Sequence, residues 1–94
     1  MIIRIVKLSF APEKVETFLS IFKKYEEKIS SFEGCIQLEL LNDINNPNVY
    51  FTYSYWQEEA FLGAYRDSDL FKDVWGQTKV LFNNKPEAWS VKRV

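Results

Sequence analysis

Chemistry in this chain has to come from few side chains, because the sequence holds no histidine and one cysteine. Without an imidazole, histidine-based triads, histidine general bases and histidine-ligated metals are excluded. Cys35 has no histidine to activate it and is interpreted as a small buried hydrophobe. Asp69 and Asp73 are one helical turn apart, but carboxylates at a helix start more often complement its dipole. We therefore predict no metal site.

Aromatic side chains are abundant: 3 Trp, 5 Tyr and 8 Phe make up 17% of the sequence. A chain this small leaves much of its surface exposed on folding, so this many aromatic side chains suggest that some of them pack against something other than the chain's own core. The interface of a homo-oligomer or the lining of a ligand pocket would supply that contact. Trp56 and Trp75 are candidates for a pocket wall, because a buried indole nitrogen needs a polar partner. The alternative is that both belong to the core.

Charge and length exclude several classes of partner. The 94 residues fit one small domain, residues 1–94, with 12 basic and 13 acidic side chains, a net charge of −1 and a pI near 5.4. Nucleic acid and anionic membranes are bound through excess positive charge, so we predict neither as a partner. The isolated glycines form no phosphate-binding loop. The opening residues carry charges and no cleavage site, and the single cysteine fits a reducing compartment, so we expect a cytoplasmic protein.

Hydrophobic periodicity predicts the elements that position these side chains. Strands are predicted at residues 2–10, 35–41, 49–56 and 88–94. Apolar residues spaced three and four apart predict a helix from Val15 to Phe32 and a second helical region from Gln57 to Phe82, which restarts near Ser68. The order β-α-β-β-α-β predicts an α+β, ferredoxin-like fold with an antiparallel sheet. RNA-binding modules share this order, but the third strand lacks their basic and glycine positions.

Strand parity predicts which side chains share a face. Arg4 and Val6 share one face of the first strand, and the third strand places four side chains together: Tyr50, Thr52, Ser54 and Trp56. On the second strand, alternation predicts that Cys35 shares a face with Gln37 and Glu39. Strands one and three carry apolar residues at both parities. A sheet that is apolar on both faces needs a cover on each, which predicts that a second copy packs sheet to sheet.

The sequence resembles the antibiotic-biosynthesis-monooxygenase family of dimeric α+β barrel proteins over nearly its whole length. The resemblance rests on six short segments: Ile2–Val6, Pro12–Lys14, Phe32–Cys35, Tyr53–Trp56, Ala60–Phe61 and Tyr65–Phe71. It implies a homodimer whose two sheets form a barrel, with a pocket for an aromatic small molecule between sheet and helices. The family includes cofactor-free oxygenases of phenolic, quinol and polyketide substrates and a heme-degrading branch.

The departures from the family pattern restrict the chemistry. Family members often have glutamate where this chain has Ser54, and many have histidine at the position of Tyr65. The heme-degrading branch uses asparagine, tryptophan and histidine at the positions of Val6, Trp56 and Trp75, of which only the tryptophan is kept. No imidazole remains to hold iron. We therefore expect no heme binding and no cofactor.

The resemblance implies a cofactor-independent monooxygenase acting on an electron-rich phenolic, quinol or polyketide-like molecule with O₂. In this hypothesis the catalytic residues are Arg4, which would steady a phenolate, Tyr65, which would hydrogen-bond it, and Trp56. The predicted substrate-binding residues are Val6, Thr52, Ser54, Phe71 and Trp75. The alternatives are an ion pair of Arg4 with Glu39 and a packing role for Tyr65. A second hypothesis, favoured by Ser54 and the missing histidines, is a non-enzymatic small-molecule-binding or sensing dimer of the same fold.

Overall fold

Four strands and three α-helices form one antiparallel sheet with its helices on one face in the computed structural model, which describes residues 1–94. The elements in chain order are β1 (Ile2–Ser9), a 3₁₀ turn (Pro12–Lys14), α1 (Val15–Ser30), β2 (Cys35–Asn42), β3 (Val49–Trp56), α2 (Glu59–Arg66), α3 (Asp69–Lys79) and β4 (Glu87–Val91). The sheet order is β2-β3-β1-β4. The predicted ferredoxin-like α+β fold is confirmed. None of the helices has the length and apolar character needed to span a lipid bilayer.

The second helical region is two helices, and it ends earlier than its apolar spacing predicts. Ser68 separates them, and its Oγ accepts a hydrogen bond from the backbone N–H of Phe71 at 3.1 Å, which caps α3. The helix stops at Lys79, although apolar spacing continues to Phe82. Phe82 instead forms a β-bridge with Phe10, and their rings lie 5.4 Å apart. The apolar spacing of Leu81 and Phe82 reflects their burial against the end of the sheet. The prediction that the helical region extends to Phe82 is therefore wrong.

The hydrophobic core lies between α1 and the sheet. The buried side chains of α1 are Phe18, Phe22, Tyr25 and Ile29, which follow the four-three-four spacing of one helix face. Phe10 at the end of β1 is fully buried, and its ring stacks on Phe18 with centroids 4.3 Å apart. Leu8 and Leu81 complete the cluster. Leu8, Phe18 and Phe22 also line a cavity under the helices, so the core continues into its wall.

A tight turn joins α1 to β2 and depends on a glycine. Gly34 has a φ of +86°, which L side chains rarely adopt. A Cβ at this position would also overlap the ring of Phe61 on α2. The Gly34 carbonyl accepts a hydrogen bond from the backbone N–H of Gln57 at 2.9 Å. The turn therefore fixes the start of β2 next to the start of α2.

A β-bulge follows this turn and changes which face Cys35 occupies. Cys35 lies opposite Trp56, and Gln37 lies opposite Tyr55, so Ile36 is the extra residue. Opposite residues share a face, which places Cys35 with Trp56 on the helix-covered side. The prediction that Cys35 and Gln37 share a face is therefore wrong, because simple alternation fails across a bulge.

The other face of the sheet has no helix over it and is rich in large side chains. The strand register places together on this face Ile3, Ile5, Leu41, Phe51, Tyr53, Tyr55, Trp89 and Val91. Leu41, Trp89 and Val91 are 42–44% exposed. Both faces of the central strands are thus apolar, as the parity argument predicts.

Candidate functional site

A cavity of about 330 Å³ lies between the helix-covered face of the sheet and the three helices. Fourteen of its 21 lining residues are hydrophobic. All eight predicted site residues line it: Arg4, Val6, Thr52, Ser54, Trp56, Tyr65, Phe71 and Trp75. Ligand pockets typically measure ~300–1,000 Å³, so this cavity suits a small molecule. The structure brings the predicted residues together, and their roles stay predictions.

Trp56 and Ser54 form the floor of the cavity at the end of β3. Alternation along the strand turns both side chains toward the helices, where they are 1% and 7% exposed, respectively. The indole Nε1–H donates a hydrogen bond to the Ser54 Oγ at 3.0 Å. Trp56 therefore belongs to the core and to the cavity wall at once, with the partner that a buried indole needs.

Four aromatic rings form a continuous wall from β3 to α3. Trp56 stacks on Tyr65 with centroids 5.2 Å apart and planes 27° apart. Tyr65 meets Phe71 edge to face at 5.3 Å, and Phe71 stacks on Trp75 at 5.8 Å. Phe71 and Trp75 are one turn apart on α3, so both face the cavity. Such a wall can take a flat aromatic ring by stacking.

Tyr65 presents a neutral hydroxyl to the site. It is the penultimate residue of α2, and it lines the cavity. Burial raises the pKa of Tyr65 to about 12, with a smaller contribution from Cys35. The phenol is therefore protonated at neutral pH and free to donate a hydrogen bond to a ligand.

Arg4 enters the cavity from β1 without an acidic partner. Its Nη1 donates a hydrogen bond to the Ser90 Oγ on β4 at 2.9 Å. The pKa of Arg4 is lowered, first by burial and then by the nearby charge of Arg66. The alternative of an ion pair with Glu39 is wrong, because Glu39 lies on the opposite face and accepts a hydrogen bond from Gln37 at 3.1 Å.

Arg66 also lines the cavity, and sequence reasoning missed it. It follows Tyr65 directly, and neighbouring residues on a helix point about 100° apart. Spacing alone therefore gives no reason to place both in one site. The only available signal was a cation in the last turn of α2, which also fits an ordinary interaction with the helix dipole.

No strong proton acceptor faces the cavity. Glu87 is the only acidic residue among the lining residues, and its Oε2 lies 3.8 Å from the Lys7 Nζ in an exposed pair. Asp73 lies outside the cavity and accepts a hydrogen bond from the Tyr25 hydroxyl at 3.0 Å. No group of three or more acidic or cysteine side chains is close enough to hold a metal ion. Burial raises the pKa of the Cys35 thiol.

Fold and cavity together define a ferredoxin-like α+β protein with an aromatic pocket under its helices. The sequence model of the antibiotic biosynthesis monooxygenase family matches residues 1–75. The chain belongs to this family, as its motifs predict. A comparison with curated proteins found no match.

Solved structures agree with this assignment at the level of the fold. The chain is similar to a conserved protein from Methanosarcina mazei Go1, with a TM-score of 0.93 and 26% identity over 100% of this chain and 94% of that one. An antibiotic biosynthesis monooxygenase gives a TM-score of 0.93 at 17% identity, covering 100% and 99%. A Mycobacterium tuberculosis protein gives 0.90 at 11% identity, covering 99% and 94%.

Proposed function

We propose that the protein is a cofactor-independent monooxygenase that oxidises an electron-rich phenolic or quinol-type small molecule with O₂. Family membership supports an oxygenase. The observation that carries the proposal is the cavity itself, which combines an aromatic wall with a guanidinium and a neutral phenol. Those groups bind a flat ring and favour the negatively charged form of a substrate oxygen.

The reaction requires little from the protein beyond the environment. A phenolate or quinolate can pass electrons to O₂ directly, so the site must desolvate the substrate, favour its anion and hold it beside oxygen. In the overall step the substrate loses two hydrogens and gains one oxygen atom. The second oxygen atom leaves as water, and the substrate supplies all four electrons. No external reductant is needed.

The side chains divide these tasks. Arg4 would stabilise the anionic oxygen, and the Tyr65 hydroxyl would donate a hydrogen bond to it. Since no strong base faces the cavity, the substrate proton would leave to solvent. A substrate with a low pKa of its own therefore fits this site best. Trp56, Phe71 and Trp75 would hold the ring, and Val6 and Thr52 would limit its position on the sheet.

An oxygen electrode tests the proposal directly. A naphthohydroquinone and an anthrone are offered as probes, and we expect protein-dependent O₂ uptake above the spontaneous rate. With ¹⁸O₂ the product should carry one labelled atom. Arg4→Gln and Tyr65→Phe should slow the uptake, whereas Lys23→Ala on the outer face of α1 should not. No protein-dependent uptake from a protein that binds these probes would contradict the proposal.

A second candidate is a non-enzymatic protein that binds or senses an aromatic small molecule. The specific observation in its favour is that the one carboxylate lining the cavity, Glu87, lies in an exposed pair with Lys7, and that the Ser54 Oγ accepts a hydrogen bond from Trp56. Titration calorimetry with the same probes separates the two. Tight binding without oxygen consumption supports the second candidate.

We also propose that the protein is a homodimer joined through the open face of the sheet. Large apolar side chains cover that face, including Phe51 and Trp89. Covering it with a second copy removes this area from water, and a stable interface needs at least ~1,200 Å². Sedimentation velocity at micromolar concentration should show a dimer that Trp89→Arg weakens. Val80→Arg, on the helix side, is the control. A stable wild-type monomer would contradict the proposal.

A further inference from the structure

Two arginines converge on one cavity, and neither has an acidic partner. Arg4 comes from the middle of β1 and Arg66 from the last turn of α2, and both line the aromatic pocket. Their charges are close enough to interact, and Arg66 helps to lower the pKa of Arg4. The only salt bridge in the chain joins Lys7 and Glu87. A half-buried guanidinium, Arg4, and an exposed one, Arg66, therefore share one cavity, and neither forms an ion pair with Glu87, the one carboxylate that lines it, whose recorded partner is Lys7.

An ordinary structural role does not account for this pair. A cation at the end of α2 complements the helix dipole, which explains Arg66 alone. Arg4 is on a strand and half-buried, and its side chain bonds only the neutral hydroxyl of Ser90, through one of its five N–H donors. Burying a guanidinium beside a like charge is unfavourable unless an anion joins them.

We propose that the natural ligand is an aromatic carboxylic acid whose carboxylate binds Arg4 and Arg66 together. A carboxylate has two oxygens and can accept from two guanidiniums at once, whereas a lone phenolate offers one oxygen. Tyr65 lines the same cavity as both arginines and stacks on Trp56, so an anion held by the arginines has an aromatic surface in the same cavity. A volume of about 330 Å³ is at the small end for ligand sites and favours one or two rings.

This inference rests on the proposed function and narrows its substrate class: in such a substrate Arg4 meets the carboxylate, and the Tyr65 hydroxyl is left to bond the phenolic oxygen. The binding step itself does not depend on turnover. 2-Naphthoate and 2-naphthol share one ring system and differ in the carboxylate. Titration calorimetry without O₂ should show 2-naphthoate binding at least about tenfold more tightly, the size expected for charge-assisted hydrogen bonds. Its affinity should also fall as salt is raised, while that of 2-naphthol should not.

Three matched variants test which arginines are responsible. Arg4→Gln and Arg66→Gln should each weaken 2-naphthoate binding about tenfold, and Arg66→Gln should leave 2-naphthol binding within about twofold. Arg93→Gln removes an arginine that does not line the cavity and should change neither. Arg66 is exposed, so its variant keeps the test valid even where Arg4→Gln fails to fold.

Each outcome decides the question. Equal binding of the two probes overturns the inference, and so does a carboxylate preference that survives Arg66→Gln. A protein that oxidises hydroquinones without preferring carboxylates overturns this inference and leaves the monooxygenase standing. A protein that binds 2-naphthoate through both arginines but consumes no O₂ with any probe supports this inference and contradicts the monooxygenase.

Discussion

In the hydrogen bond between Trp56 and Ser54, an indole N–H left without its acceptor should lower the stability of the protein more than a hydroxyl left without its donor. Ser54→Ala removes the acceptor and leaves the Nε1–H of an indole that is 1% exposed. Trp56→Phe removes the donor, and a serine hydroxyl can rotate toward another acceptor or into the cavity. The two single variants therefore disturb the same contact, but only one of them leaves a buried donor without a partner.

The expected magnitudes follow from this asymmetry. Ser54→Ala should lower the free energy of unfolding by ~1–3 kcal/mol, the cost of an unsatisfied buried donor. Trp56→Phe removes about three ring atoms and should cost ~2 kcal/mol in lost burial. In the Trp56→Phe background, Ser54→Ala should cost less than ~0.5 kcal/mol, because both partners are then gone. The coupling free energy, the difference between the two Ser54→Ala costs, should therefore be ~0.5–3 kcal/mol.

Urea unfolding followed by circular dichroism measures this cycle at one fixed protein concentration, since association would shift apparent stability. Thr52→Ala in both backgrounds is the matched control. Thr52 lies on the same face of β3 and lines the same cavity, but its hydroxyl bonds no side chain. A Ser54→Ala cost that is equal in the two backgrounds would show that the hydrogen bond does not hold the indole in place.

Three further predictions concern pH, backbone conformation and heme. The pKa of Tyr65 is raised from 10.0 to about 12, so the stability linked to its neutral form is complete below pH 10 and is lost from about pH 10 to 12. Tyr65→Phe should flatten that decline in urea titrations, and an unchanged decline would refute the assignment. Gly34→Ala should lower the melting temperature because Gly34 has a φ of +86°. Gly76→Ala, in open space on α3, should instead raise the free energy of unfolding by ~0.5–1 kcal/mol. A stabilised Gly34→Ala and a destabilised Gly76→Ala would be inconsistent with this geometry. Val6 and Trp75 stand where the heme-degrading branch uses asparagine and histidine. Heme titration should therefore give no sharp Soret band, and no porphyrin should be lost under reductant. A stoichiometric heme complex would argue against this reasoning.

Periodicity in the sequence was sufficient for the fold and for most of the cavity. Alternation on β3 places Ser54 and Trp56 on the helix side because that strand has no irregularity, and Arg4 on β1 follows the same rule. The same counting fails on β2, where Ile36 is inserted and Cys35 changes face. A bulge is stabilised by the tertiary position of a strand, which residue types alone do not reveal.

Two other differences arise from contacts between distant segments. Helical spacing runs on to Phe82, but bridging to Phe10 at the end of β1 ends the helix earlier. Arg66 joins the site through the way α2 packs beside the sheet, which no local pattern encodes. Sequence patterns therefore predict secondary-structure elements and their buried faces well, but they do not predict tertiary contacts between residues far apart in the sequence.

The aromatic wall has a consequence for how substrate preference can change in evolution. Trp75 contacts Phe71 in the cavity and also Phe82, which in turn contacts the fully buried Phe10. Pocket and core are thus one continuous set of rings, and a substitution in the wall reshapes both. Changes that cost little in stability are confined to the rim, where Arg66 and Ala88 are exposed. Relatives that differ in substrate are therefore expected to diverge first at the rim.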